Sequence, residues 1–357
     1  MAKPVTSSTL GSEPDTYFYS LARTGSSLAT IGSDDTLRIF DPTTLRSITT
    51  ALVPGSGLSS LQPISDHVLA TAGRDGTIRL WDTRSSNSGA CNPTLQIPEP
   101  HHRPFSALAT HSPLLAAGTE SAKEGLGDVS VLLYDIRGNP DAPLREYAES
   151  HTDSITALSF HPADPACVMS GSTDGLVSVF DAHERDEEEA LKVVWNPRSA
   201  VHCAGFLSPD EVWVLTTDEQ FVVYPLPTKM SEGGDVGGDG AGEGGGAGGG
   251  RGARAEQCFG DVREMLRCMY VINLLRQPGD EQPLIAYGHN EQQRLEVVQL
   301  SASSSSPGGG GGGGQWEFGP RVDFPGAHGE EVVRDMLLGD GRAWSCGEDG
   351  RVRVWRW

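Results

Sequence analysis

The chain reads as an all-β protein, a seven-bladed propeller of four-stranded blades, and three observations predict this. The phrase Gly73-Arg74-Asp75-Gly76-Thr77-Ile78-Arg79-Leu80-Trp81-Asp82 returns as Ser172-Thr173-Asp174-Gly175-Leu176-Val177-Ser178-Val179-Phe180-Asp181 and as Gly347-Glu348-Asp349-Gly350-Arg351-Val352-Arg353-Val354-Trp355. Each copy is a tight turn feeding an alternating strand that ends on an aromatic residue, and a phrase recurring every ~40–45 residues marks a propeller blade. Weaker copies fill the gaps, with Asp34 before Phe40, Asp128 before Tyr134 and Asp218 before Tyr224. Two stretches poor in apolar residues interrupt the pattern. With them set aside, the chain divides into seven units of about 45 residues.

Taken in order, the first inner strand is expected near Tyr17–Leu21, and turns at Asp34, Asp75, Asp128, Asp174 and Asp218 mark blades one to five. The next turn aspartate, Asp349, is too distant for one blade. Between them, Ile285-Ala286-Tyr287-Gly288-His289-Asn290-Glu291 followed by Arg294-Leu295-Glu296-Val297-Val298 reads as a degenerate turn and strand of a sixth. Residues 231–257 are glycine-rich and residues 301–314 are a serine run followed by a glycine run. Both are expected to be disordered inserts, because such composition cannot bury enough apolar surface to offset its chain entropy. Residues 1–357 then form a single domain. The last phrase reaches Trp357 after only three strands, so the segment Pro4–Leu10 is expected to supply the fourth. An unclosed ring would leave a blade edge with unpaired backbone groups.

Trp81-Asp82, Tyr134-Asp135, Phe180-Asp181 and the terminal Trp355 carry a resemblance to the WD40-repeat superfamily over nearly the whole chain. Within it, the chain resembles the WD repeat-containing protein 89 group. The cues are His328-Gly329-Glu330-Glu331-Val332-Val333-Arg334-Asp335, then Ser345-Cys346-Gly347-Glu348-Asp349-Gly350, and Phe259-Gly260-Asp261-Val262-Arg263 opening the sixth blade. The resemblance implies that a His before the inner strand, a Ser or Thr in the second strand, the turn Asp and the third-strand Trp form one hydrogen-bonded chain. His328, Ser345, Asp349 and Trp355 stand at all four offsets. His151, Ser170 and Asp174 stand at three, with Phe180 ending the relay for want of a donor. The first two blades keep Thr30 and Asp34, then Thr71, Asp75 and Trp81.

Leu80-Trp81-Asp82-Thr83-Arg84 and Leu133-Tyr134-Asp135-Ile136-Arg137 are similar to the Trp-Asp-x-Arg phrase of WD40 substrate receptors of cullin–RING ubiquitin ligases. That resemblance implies Arg84 and Arg137 as contacts to an adaptor, held by Asp82 and Asp135. A planar guanidinium suits paired acceptors. The alternative is an Arg that only pairs with the nearby Asp.

Other chemistry finds little support. Ser, His and Asp occur together, but at offsets that place them inside a packed blade, with no G-x-S-x-G elbow, so no catalytic residue is assigned. The six cysteines are scattered and none stands at metal-ligand spacing. With no signal peptide apparent, this reads as an intracellular, reduced protein, cytoplasmic or nuclear. His101-His102 lacks nearby acidic or thiol ligands, and no phosphate loop is present, so no metal or cofactor is expected. No stretch approaches the ~20 apolar residues of a membrane helix. Twenty-seven basic and 48 acidic residues give a formal charge of -21, which opposes direct nucleic-acid binding and steers basic partners. The densest acidic run, Glu184 to Glu189, is expected between the third and fourth strands of the fourth blade, as a solvated loop or a docking site for a lysine-rich tail.

The expected function is a non-catalytic scaffold or adaptor, monomeric outside complexes, that binds a basic protein in the manner of an assembly factor or escort. Loops on a rigid scaffold carry such binding. The turn residues Ser33, Arg74, Thr173, Thr217 and Glu348, with Asp153, Glu330 and Glu331 from loops leading into inner strands, are the expected contact face.

Overall fold

A computed structural model describes residues 1–84, 91–123, 125–227, 255–303 and 315–357. It contains seven four-stranded antiparallel sheets, and the protein is a seven-bladed β-propeller. The inner strands begin at Phe18, Leu58, Phe105, Ile155, Val201, Tyr270 and Val333. The first of them spans Phe18–Thr24, slightly beyond the Tyr17–Leu21 expected.

Ring closure follows the expectation. Lys3–Ser8 is the outer strand of blade 7, paired antiparallel with Val352–Arg356, Thr6 opposite Val354 and Ser8 opposite Val352. The burial patterns explain the strand chemistry. The second strand of blade 2, Val68–Gly73, is buried at nearly every position because neighbouring blades cover both of its faces. The outer strand of blade 1, Ser47–Leu52, alternates between buried and exposed. Seven apolar clusters result, each filling the space between two successive blades. Trp355 and Phe324 join blades 7 and 6, and Trp344 and Phe40 join blades 7 and 1.

Each inner strand starts with a register irregularity. At three of these the extra residue carries a hydroxyl that ties one blade to the next. Ser59 donates to the Phe105 carbonyl at 2.6 Å, Ser106 to Ile155 at 2.6 Å and Thr156 to Val201 at 2.7 Å. At the ring junction Asp335 does this work, accepting from the Leu21 amide at 2.7 Å and the Ser20 hydroxyl at 3.3 Å.

The turn phrase owes its glycine to backbone geometry. Gly350 has φ 65°, and a Cβ there would lie 2.5 Å from the Thr16 carbonyl oxygen. Asp35 (φ 56°) and Glu219 (φ 60°) occupy the matching left-handed positions of blades 1 and 5, so the phrase is blurred in the sequence where the geometry is kept.

Three expectations need correction. Phe259–Arg263 does not open blade 6. Gln257–Asp261 is the outer strand of blade 5, and Asp261 caps a short helix, Val262–Leu266, before blade 6 begins at Tyr270. The intervening glycine-rich stretch displaces this strand far along the sequence, so it resembles a new start. The strands also extend into both expected inserts, since Gln257, Ser301 and Ala302 are strand residues. Most of the remainder of those calls, 231–254 and 304–314, lies outside the described residues. Third, Asp128 is not in a tight turn. It sits in the long connection between Leu114–Thr119 and Val131–Asp135, accepting from the Ser121 hydroxyl at 2.5 Å.

Candidate interaction surfaces

The polar residues inside the blades form chains of differing completeness. In blade 7, His328 bridges Asp349 (Nδ1 to Oδ1, 2.6 Å) and Ser345 (Nε2 to Oγ, 2.8 Å), and the Trp355 indole donates to Ser345 at 3.2 Å. Burial disfavours the imidazolium, so His328 titrates below its ordinary value even beside Asp349. In blade 4, His151 lies 3.0 Å from Asp174 and 2.7 Å from Ser170. Phe180 stacks instead on Tyr147 of blade 3, with centroids 4.5 Å apart. In blade 2 the Trp81 indole donates to Thr71 at 2.9 Å, and in blade 1 Thr30 donates to the Ser20 carbonyl at 2.7 Å.

Blades 1 and 2 lack the histidine, and sequence reasoning missed what replaces it. Arg38 pairs with Asp34, and Arg79 with Asp75, four residues on. Arg353 likewise joins Asp349 at 2.8 Å. The signal was an arginine at a fixed offset inside an otherwise apolar strand. A further network, also missed, lies between blades 2 and 3. Glu99, wholly buried, accepts from the Arg103 side chain at 2.7 Å and from the His101 and Arg103 amides, while Arg103 also reaches Ser130 and Glu146. These groups are consumed inside the fold, and none stands as an exposed nucleophile beside an oxyanion hole.

Two open spaces occupy the axis. A channel of about 750 Å³ is walled by the inner strands, including His202, Asn273 and Asp335. Burial pushes the Asp335 carboxyl up to about 6. At the end where the turns gather, here called upper, a cavity of about 600 Å³ is lined by Tyr19, Ser33, Arg74, Glu120, Thr173 and Arg334. Three expected contact residues, Ser33, Arg74 and Thr173, therefore share one mouth. Arg74 pairs with Glu120 at 3.0 Å, and Glu348 is held by Arg334. Glu330 and Glu331 are exposed on the adjoining loop, and Glu13 and Asp15 are exposed on the loop before blade 1. Thr217 is exposed at the blade 5 turn, and Asp153 accepts from the Ser154 amide at 2.6 Å.

The two Arg phrases lie at the opposite, lower end and differ from each other. Arg84 grips Asp82 through two side-chain bonds of 3.0 and 2.7 Å and is 66% exposed. Those bonds hold the Asp82 carboxyl down at about 2. Arg137 instead donates to the Ser112 hydroxyl at 3.2 Å, and the Asp135 side chain accepts only backbone amides. The acidic run of blade 4 is a one-turn helix, Glu187–Ala190, capped by Asp186. Glu187 is not a free acid, since it accepts from the amides of Ala148, Glu149 and Ser150 and from the Ser150 hydroxyl.

A closed ring of seven such blades with these internal polar chains defines a WD40-type propeller. The family model for the WD domain, G-beta repeat, matches residues 52–82 and 142–181. An uncharacterized WD repeat-containing protein of Saccharomyces cerevisiae is 31% identical over 331 residues, covering 90% of this chain and 74% of that protein. The chain belongs to the WD40-repeat proteins. The WD repeat-containing protein 89 homolog of Dictyostelium discoideum is 26% identical, over 59% of this chain and 55% of that protein. The Arabidopsis thaliana target of rapamycin complex subunit LST8-1 is 32% identical over 32% of this chain and 33% of its own. One chain in the crystal structure of the mitotic checkpoint complex has the same fold, with a TM-score of 0.65 at 14% identity, covering 100% of this chain and 90% of that one. WD-repeat propellers are in general protein-interaction scaffolds and typically non-catalytic.

Proposed function

We propose that this propeller is a non-catalytic adaptor that holds a basic protein segment at its upper mouth, as an assembly factor or escort does. The observation that carries this reading is a set of exposed acids, Glu13, Asp15, Glu330 and Glu331, on the loops that lead into the inner strands of blades 1 and 7, whose Tyr19 and Arg334 line the cavity. Arg74 and Arg334 are each already paired with a glutamate and the exposed Arg351 of the blade 7 turn is outnumbered by these four acids, so the surplus charge at the rim is negative. Thr173, Thr217, Asp153 and Glu348 belong to the same face. A formal charge of -21 adds long-range attraction for a cationic partner. That one relative is by name a subunit of a complex is consistent with work inside an assembly. An intracellular setting, cytoplasmic or nuclear, fits six free cysteines.

Affinity purification with mass spectrometry, comparing wild type with Glu330→Lys/Glu331→Lys/Glu348→Lys, tests this. Basic proteins should be recovered at low salt, weaken as salt rises and be lost from the variant. An unchanged set of partners defeats the reading.

A second reading rests on Arg84, whose exposed, preorganised guanidinium suits an adaptor contact at the lower end. Co-purification of a cullin–RING adaptor that is lost in Arg84→Ala/Arg137→Ala supports it. Intact folding with no adaptor bound rejects it.

A further inference from the structure

The lower end carries a basic cluster that the acidic composition conceals. In blade 7, Lys3 lies opposite Arg356, and Arg356 opposite Arg342. Residues in direct register on adjacent strands point to the same face, about 5 Å apart. That face is the one from which Trp344 and Val354, two residues further along, pack against blade 1. Blade 1 meets the row with its own loop, since Arg342 Nη1 donates to the Thr43 hydroxyl at 2.5 Å and Arg46 follows in that loop, exposed. Among the described residues none of these four cations is in an ion pair, whereas Arg38, Arg79, Arg103 and Arg353 all are. Two carboxylates of the adjoining loops are engaged, and Asp41, although it feels the charge of Arg342, is not in an ion pair with it. Asp41 accepts from the Thr43 and Thr44 amides and the Thr44 hydroxyl, and Asp340 takes Arg23.

We infer that the seam between blades 7 and 1 at the lower end is a second interaction surface, built from Lys3, Arg46, Arg342 and Arg356, and that it takes an acidic segment of a protein partner. Three like charges on one face of blade 7, with Arg46 on the facing loop of blade 1, repel one another, and an incoming carboxylate row relieves that repulsion. A long polyanion would feel the whole molecule's negative field. A short acidic peptide feels chiefly the local charges, because screening acts over about 8 Å at physiological salt. The surface is composite, since Lys3–Ser8 and Val352–Arg356 meet only in the closed ring. It is independent of the upper mouth, so the propeller would join a basic chain at one end to an acidic one at the other.

The test is fluorescence anisotropy with a short labelled peptide of alternating Asp and Glu. Wild type should bind at low salt and weaken as salt rises, and Lys3→Ser/Arg46→Glu/Arg356→Glu should raise Kd by about tenfold or more. Glu330→Lys/Glu331→Lys should leave Kd unchanged, which separates this surface from the upper one. The milder Arg46→Ser/Arg356→Ser, melting as wild type does, should give an intermediate loss. No binding at low salt, binding indifferent to these changes, or equal affinity for a labelled DNA duplex would each overturn the inference.

Discussion

Nδ1 of His328 lies 2.6 Å from Oδ1 of Asp349, with both side chains largely shut away from water. Burial opposes charge on Asp349, but His328 and Arg353 outweigh it and hold the carboxyl below its ordinary value. Asp349→Ala strands both partners. It is expected to cost about 2–4 kcal/mol and to lower the melting temperature by several degrees, read by calorimetry. Loss of less than ~0.5 kcal/mol would show that the chain of bonds contributes little.

Among the described residues Glu99 and Arg103 form the most deeply buried pair of an arginine with a carboxylate. Arg103→Met leaves a wholly buried carboxylate with amide donors alone. Breaking such a pair costs about 3–5 kcal/mol, so a large loss in urea midpoint is expected. Exposed Arg84→Ala should leave the urea midpoint unchanged.

The acidic run of blade 4 divides by role. Glu187→Ala removes four accepted hydrogen bonds and is expected to destabilise by about 1–3 kcal/mol. Glu188→Ala and Glu189→Ala, both exposed, should be near neutral. Equal effects at all three positions would refute the division.

Asp335 sets a pH dependence opposite in sign to that of the turn aspartates. Its pKa is raised by burial to about 6. Its contribution is therefore fully present below the unfolded value of ~3.9 and lost as pH rises through 6. Asp34, Asp174 and Asp349 have lowered values despite burial, because of Arg38, of His151, and of His328 with Arg353 respectively. Their contribution is present above ~3.9 and lost as pH falls further. Between pH 7 and 4, wild type should gain on Asp335→Asn by on the order of 1–2 kcal/mol. Parallel stability curves for the two proteins would contradict this.

Blade number, the closing strand and the complete chain in blade 7 were legible in the sequence. The blades follow from local rules, an Asp-Gly turn, alternation along a strand and an aromatic at its end, whereas the chain in blade 7 was implied by the resemblance to WD40 repeats. The resemblance misled at Phe259–Arg263, where an outer strand far removed from its own blade looks like a beginning, and the local rules failed at Asp128, where spacing alone imitated a turn. Sequence reasoning also missed the arginines of blades 1 and 2, although each stands four residues after its turn aspartate, because a charge inside an apolar strand is not read as the partner of that acid.

What the sequence by itself determined is the repeat, hence the ring, since each blade can cover its apolar faces only with identical neighbours. Only the tertiary structure decided which charges remain free. Glu187, Glu99 and Asp82 are absorbed by nearby donors, while Lys3, Arg342 and Arg356, remote or unremarkable in sequence, come to lie in one row. Net charge is additive along a chain, but the field a partner meets depends on which charges folding pairs and which it leaves side by side.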